Sequence, residues 1–292
     1  MLLGAAVEDH RSMRIIVTGG SGKLGSTVVT SLRDAGHTVV VFDRVAGRDQ
    51  GIPVDLTDAG QVLDAVAGVE DHHEGVDAIV HLAAIPAPGL YPDVKTFENN
   101  ILSTHHVLQA ARRAGVRRIV TASSETLLGL PLADPPASFP IDETVVLPNS
   151  TYSLVKHLEE QMAIQFCRWD PMLSVTAMRF SNVMVESDYA GFEAWQDDPA
   201  VRRWNAWGYI DARDAAAAIA LALDVRGPGF EHYIIANADT VMRTPSAELA
   251  AAEFPGVPFT RPVEGRGTLL SIDKARAELG WEPAHSWLDS RD

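Results

Sequence analysis

TGGSGKLG, residues 18–25, decides how the rest of this chain is read. Before it, residues 14–18 (RIIVT) form a short β-branched run; after it, residues 26–34 have helical spacing, with Gly36 where a helix C-terminus favours glycine. Gly19, Gly22 and Gly25 therefore stand between a strand and a helix. Glycines at such a junction permit a tight turn and a close backbone approach, and the first N–H groups of the helix face an anion on the turn. The spacing is Gly-x-x-Gly-x-x-Gly, one residue longer in its first gap than the usual dinucleotide fingerprint. Lys23 is followed by Leu24 and not by Ser or Thr, so this is not a Walker A loop. The segment reads as a pyrophosphate-binding turn in which Gly19, Gly22, Lys23, Leu24 and Gly25 meet a dinucleotide.

Outward from the turn, strands and helices alternate. Residues 38–43 (TVVVFD), 77–82 (DAIVHL), 117–122 (RRIVTA) and 173–179 (LSVTAMR) read as buried strands. Residues 58–66, 94–114 and a segment starting near Tyr152 read as helices. Short apolar strands separated by helices predict an α/β fold with a Rossmann-type, doubly wound parallel sheet. Residues 1–12 are expected to be a disordered leader, residues 13–180 the NAD-binding core, and residues 181–292 a small substrate-binding lobe. Within that lobe a helix at 212–223 (ARDAAAAIALAL) and a strand at 231–236 (EHYIIA) return to the core sheet, and no Gly/Ser or charged linker separates the two parts.

The 292 residues carry a formal net charge of −15, which argues against nucleic acid or an anionic membrane surface as a partner. Local backbone N–H groups can still bind a phosphate. No apolar run is long enough to span a bilayer. The single cysteine, Cys167, cannot close an internal disulfide, and a reducing cytoplasm is the expected compartment. His72-His73-Glu74 and His105-His106 invite a metal, but adjacent helical residues point apart and neither group has a third ligand at metal spacing. No metal is expected.

Asp43 closes the second strand, where a carboxylate can accept hydrogen bonds from the adenosine ribose. A 2′-phosphate there would meet like charge, which favours NAD; Arg44 could meet that phosphate, which keeps NADP as the alternative. Asp55 and Leu56, after a short third strand, either hold the adenine edge or form a plain strand-end turn. In NSTYSLVKHLEEQ, Tyr152 and Lys156 are spaced i, i+4 and share a helix face. A tyrosine titrates near pH ~10, so it becomes a base at neutral pH only if a neighbouring positive charge stabilises its phenolate. Lys156, with the positive ring of an oxidised nicotinamide, can supply that.

Taken in order, these segments resemble the extended short-chain dehydrogenases/reductases of the NAD-dependent epimerase/dehydratase group. HLAA (81–84), NILST (100–104), SSETLLG (123–129), YSLVK (152–156), RFSNV (179–183), YIDARDAA (209–216) and LGWEP (279–283) all fall in that family's order. The resemblance implies that Tyr152 is the catalytic acid/base and that Lys156 holds the nicotinamide ribose and lowers the tyrosine pKa. It implies that Ser124 bonds the reacting oxygen, with Ser123 the lesser candidate, nearer the nicotinamide. Leu82, Ala83 and Ala84 would pass beside the cofactor, Asn100 would belong to the same set, and Asn182 would face the substrate. Glu125 only half suggests the acidic residues of the dehydratases and reads otherwise as a loop residue.

Between Asn182 and Gly208 the chain is too short for the nucleotide-recognition segment of sugar-nucleotide enzymes, which favours a smaller substrate. Trp204 and Trp207 could stack on a sugar, and Arg202 or Arg203 could grip a carboxylate or phosphate; alternatively one tryptophan is core and the arginines are solvated. The short form also resembles uronate dehydrogenases. The expected activity is NAD-dependent hydride transfer on a small sugar, sugar acid or related molecule. The rivals are an epimerase or dehydratase that recycles its NAD, and a non-catalytic dinucleotide sensor. A homodimer is expected through the long helix and the Tyr/Lys helix, whose Val107, Leu108, Leu158, Met162 and Ile164 could equally face the sheet.

Overall fold

The computed structural model describes residues 12–45, 51–68, 75–225 and 227–289. Residues 1–11, most of the expected leader, lie outside the described residues, as do His72, His73 and Glu74.

Seven parallel strands form one sheet: β1 (Arg14–Thr18), β2 (Thr38–Asp43), β3 (Ile52–Pro53), β4 (Ala78–His81), β5 (Arg118–Ser124), β6 (Ser174–Phe180) and, later in the chain, β9 (Gly229–Ile235). Their order is β3-β2-β1-β4-β5-β6-β9. The chain runs outward from β1 in one direction and then, from β4 onward, in the other. Ligands of doubly wound sheets bind in the crevice at such a reversal, beyond the carboxyl ends of the strands.

Alternation along β1 sorts the core into two layers. Ile16 joins Phe42, Ile79, Leu108 and Phe166 on one face, whereas Ile15 and Val17 join Val28, Val29, Leu32 and Ile219 on the other. The first face is covered by α2 (Ala59–Ala67), α3 (Asp93–Ala114) and α4 (Thr151–Trp169), the second by α1 (Lys23–Asp34) and α5 (Ala212–Asp224). Buried on both sides, the strands are the continuous apolar runs seen in the sequence.

Local chemistry sets the helix bounds. Asp58 caps α2 by accepting from the N–H groups of Gly60 and Gln61, and Gly115 ends α3 at φ 76°. Ser150 caps α4 in a reciprocal box with Ser153, which fixes the turn carrying Tyr152. The first helix begins at Lys23, earlier than the expected Ser26, so Lys23, Leu24 and Gly25 form its first turn.

The later chain adds a two-stranded parallel ribbon of β7 (Val183–Met184) and β8 (Ile210–Asp211), 3-10 segments at Glu186–Trp195 and Pro199–Asn205, and the short helices α6 (Ser246–Glu253) and α7 (Asp273–Leu279). Trp207, Trp281 and Trp287 are fully buried there and lie in the same apolar cluster as Ile15 and Val17. On the two helices expected to pair copies of the chain, Val107 and Leu108 face the sheet, Leu158, Met162 and Ile164 are half-buried, and Leu102 and Leu154 are exposed. No helix among the described residues is long and apolar enough to cross a membrane.

Candidate active site

At the reversal, the ends of β1 and β4 touch. Gly19 sits at φ +70°, and a Cβ built there would lie 2.8 Å from the Cα and N of Ala83. A Cβ on Gly25 would lie 2.1 Å from the Gly19 carbonyl oxygen. Both positions require glycine, one for conformation and contact, the other for contact alone. Gly22 caps α1 without any side-chain hydrogen bond, so nothing from a side chain covers the first N–H groups of the helix. The turn is a backbone cradle open at the N-terminus of α1.

Asp43, at the end of β2, accepts from the N–H of Ser21 at 3.1 Å and of Arg44 at 2.7 Å, each through a different oxygen. Each carboxylate oxygen keeps a lone pair for a ribose hydroxyl. Asp55 turns back on its own loop, accepting from the Thr57 N–H and hydroxyl; those bonds hold it below the usual carboxylate range. The Leu56 carbonyl accepts from His106 Nδ1 at 3.0 Å. Lys23 reaches Asp188 at 2.8 Å, tying the cradle to the Glu186–Trp195 segment.

One cavity of about 900 Å³ joins these groups to the residues after β5 and on α4. Gly19, Gly22, Lys23, Leu24 and Gly25 line it, and so do Asp43, Arg44, Asp55 and Leu56. Its middle is formed by Leu82, Ala83 and Ala84, and its far end by Ser124, Glu125, Tyr152, Lys156, Asn182 and Trp204. Two expected site residues are set apart. Asn100 is fully buried and bonds the N–H and carbonyl of Ile85 at 2.8 and 3.0 Å, so it shapes the segment after β4 and does not line the cavity. Arg203 lies over Phe254 and donates to the carbonyls of Leu132 and Glu253, which turns it away from a substrate. Its partner in the alternative, Arg202, is equally occupied: it bonds Asn182 and the Gly208 carbonyl. Neither arginine is a solvated lip residue or a free anion grip.

The two serines after β5 separate by their partners. Ser123 donates to Glu160 at 2.6 Å. Ser124 accepts from the N–H and hydroxyl of Thr126 and faces Tyr152, whose phenolate its hydroxyl favours. Lys156 donates to the Ala122 carbonyl and to Glu159, each at 2.8 Å, and its ammonium is 6.0 Å from the Tyr152 ring centre. Burial raises the Tyr152 pKa; Lys156 and Ser124 pull it down without cancelling that rise. Lys156 and Ser124 thus act in the expected direction, against poor solvation of a buried phenolate and the charges of Glu159 and Glu125.

Glu125 is no surface loop residue. It is 4% exposed, accepts from Ser181 and Asn205, and burial pushes its carboxyl up to about 7 against those bonds. Neither its burial nor the contact of Glu159 with Lys156 carries a local sequence signal.

A parallel sheet with a glycine cradle at its reversal and a Tyr-Lys helix across the cavity defines the extended short-chain dehydrogenase/reductase class. The chain belongs to the NAD dependent epimerase/dehydratase family, whose model matches residues 15–236. It is similar to UDP-glucose 4-epimerase of Azospirillum brasilense, with 35% identity over 329 aligned positions covering 95% of this chain and 89% of that one. Against UDP-glucose 4-epimerases of Neisseria meningitidis the match is partial, and the chain spans about half the length of those relatives. Among solved structures it resembles a short-chain dehydrogenase/reductase superfamily protein from Agrobacterium tumefaciens with bound NAD, at 25% identity and TM-score 0.71, covering 95% and 94% of the two chains. A mutated uronate dehydrogenase shares the fold at TM-score 0.68 and 22% identity, covering 96% of this chain and 85% of that one.

Proposed function

We propose that the protein oxidises or reduces a small hydroxylated substrate, a sugar or sugar acid, with net transfer of hydride to or from NAD. The observation that supports this best is the meeting of Ser124, Tyr152 and Lys156 on one wall of the cavity that also holds the glycine cradle and Asp43. Bound NAD supplies the hydride acceptor and a positive charge. Tyr152 Oη takes the hydroxyl proton of the substrate as the carbon–hydrogen bond gives up its hydride, and the carbonyl forms. Ser124 Oγ donates to the developing oxygen, and Lys156 favours the phenolate. In the reducing direction Tyr152 returns the proton.

Size supports a small substrate. Ligand pockets commonly measure roughly 300–1,000 Å³, and about 900 Å³ here must hold both the dinucleotide and the substrate. Asp43 supports NAD over NADP. Leu102 and Leu154, exposed on α3 and α4, support the homodimer, which light scattering would test.

A second reading is epimerisation with NAD retained, favoured by the name of the Azospirillum relative. Absorbance at the NADH band separates the two, using NAD or NADP with a panel of neutral sugars, sugar acids, secondary alcohols and UDP-sugars. NADH growth with a small substrate supports the dehydrogenase. A flat trace, with UDP-sugar epimers appearing by chromatography, supports the epimerase and sinks the first reading.

A further inference from the structure

Glu159 lies three residues beyond Lys156 on α4, and the two are 8% and 4% exposed. The 2.8 Å contact between them and the 2.8 Å bond to the Ala122 carbonyl occupy two of the three ammonium protons and draw the lysine toward β5. Charged and titratable groups face this pair from every side. On α4 these are Tyr152 and Glu160, on β4 His81, and after β5 Glu125; Thr104 faces it from α3.

Most of them are already compensated. Arg179 donates to both oxygens of Glu160, at 3.0 and 2.8 Å, and Ser123 donates to one of them. His81 is neutral, because burial and then the charge of Lys156 push it down to about 3. Its ring bridges Thr18 at 2.8 Å and Thr104 at 3.1 Å. Glu125 has its own donors, Ser181 and Asn205. Glu159 has Lys156 as its partner at Oε2, while no partner bonds its buried Oε1 among the described residues. The Thr104 hydroxyl is near enough to favour the carboxylate.

We infer that Glu159 is a positioning residue, which holds Lys156 against β5 and sets the pH at which the coupled Tyr152/Lys156 pair gives up its first proton. This rests on the role proposed for that pair, but it can be read from Tyr152 itself without a substrate. A negative charge beside two coupled sites holds their proton, whichever atom carries it. With Lys156 still carrying its proton, removing the charge must lower the pH at which Tyr152 ionises, and Lys156 becomes freer to leave the Ala122 carbonyl.

The test is a titration of ultraviolet tyrosinate absorbance, with and without saturating NAD. Each protein is compared with its own Tyr152→Phe counterpart, because the chain has five tyrosines. In Glu159→Gln the Tyr152 midpoint should fall by about one pH unit, the lower end of shifts produced by an adjacent charge. Glu159→Asp withdraws the carboxylate by one methylene and should move the midpoint the same way by less; it carries the test alone if the Gln variant does not fold. A midpoint that stays at the wild-type value or rises, in either variant, overturns the inference. The result is independent of which substrate, if any, yields NADH.

Discussion

Arg202 donates to Asn182 Oδ1 at 2.9 Å from between two tryptophan rings, its guanidinium carbon 4.8 Å from the Trp195 ring centre and 5.0 Å from that of Trp204. With its oxygen held, Asn182 has its amide N–H groups left for the cavity it lines. Arg202→Met should keep the volume between the rings and release Asn182. The Gly208 carbonyl would retain Asn205 as a donor, at 2.8 Å. One lost oriented hydrogen bond to substrate corresponds to about 1 kcal/mol, so KM should rise several-fold with NAD affinity unchanged. Steady-state kinetics beside calorimetric NAD titration checks this, and an unchanged KM rejects the positioning of Asn182.

Gly25→Ala tests the cradle. The added methyl would sit 2.1 Å from the Gly19 carbonyl oxygen and 2.8 Å from the Gly20 Cα, both backbone atoms that cannot swing aside. Overpacking of this kind costs about 1–3 kcal/mol. Because the strain falls on the turn itself, NAD affinity should drop by roughly ten- to a hundredfold. Calorimetric titration measures it, with far-UV circular dichroism confirming that the fold is kept; affinity equal to wild type would place the dinucleotide elsewhere.

Glu125 predicts a pH-dependent stability. Its folded pKa is raised from 4.5 to about 7, so the folded state holds a proton that the unfolded chain has released between those values. Stability contributed by this group is present at pH 4.5 and below and is lost as pH rises through 7. His81, lowered to about 3, acts oppositely below its unfolded pKa of 6.5, so the comparison must be with a Glu125 variant and not with pH alone. Glu125→Gln should gain about 3 kcal/mol on wild type between pH 4.5 and pH 8, at ~1.36 kcal/mol per unit. Urea unfolding at the two pH values reads it. Equal differences at both would mean that Glu125 is not titrating in the fold.

Much of the sheet could be read from the chain because its strands are apolar runs cut by glycine or charge: β1 and β2 lie at the expected residues. The start of α1 could not, since a glycine cap carries no side-chain signal. Two-residue strands such as β7 and β8 are too short to show a period. At the site, spacing brought the glycines, Asp43, Tyr152 and Lys156 to one cavity. The direction of Arg203 is set by the carbonyls of Leu132 and Glu253, 71 and 50 residues away. Glu125 is buried by Ser181 and Asn205, 56 and 80 residues away. Residue type announces a charge, whereas its partners come from distant chain that local pattern does not contain.

Tyr152→Phe removes only the phenolic oxygen from a side chain that is 6% exposed, so the packing beneath the cavity is preserved. Its hydroxyl is favoured by Ser124 and by Lys156, and neither depends on it for burial: Ser124 keeps Thr126, and Lys156 keeps Ala122 and Glu159. Stability should therefore change by less than about 1 kcal/mol. NAD binding, centred on the glycine turn and Asp43, should be nearly unaffected. Loss of a positioned acid/base lowers turnover by roughly 10²–10⁴-fold, and that loss should appear in kcat with KM little changed. Single-turnover kinetics with the substrate found by the NADH panel decides the matter: a variant as fast as wild type would remove Tyr152 from the chemistry and leave Glu125, the acid next to Ser124 in the cavity, as the group to test next.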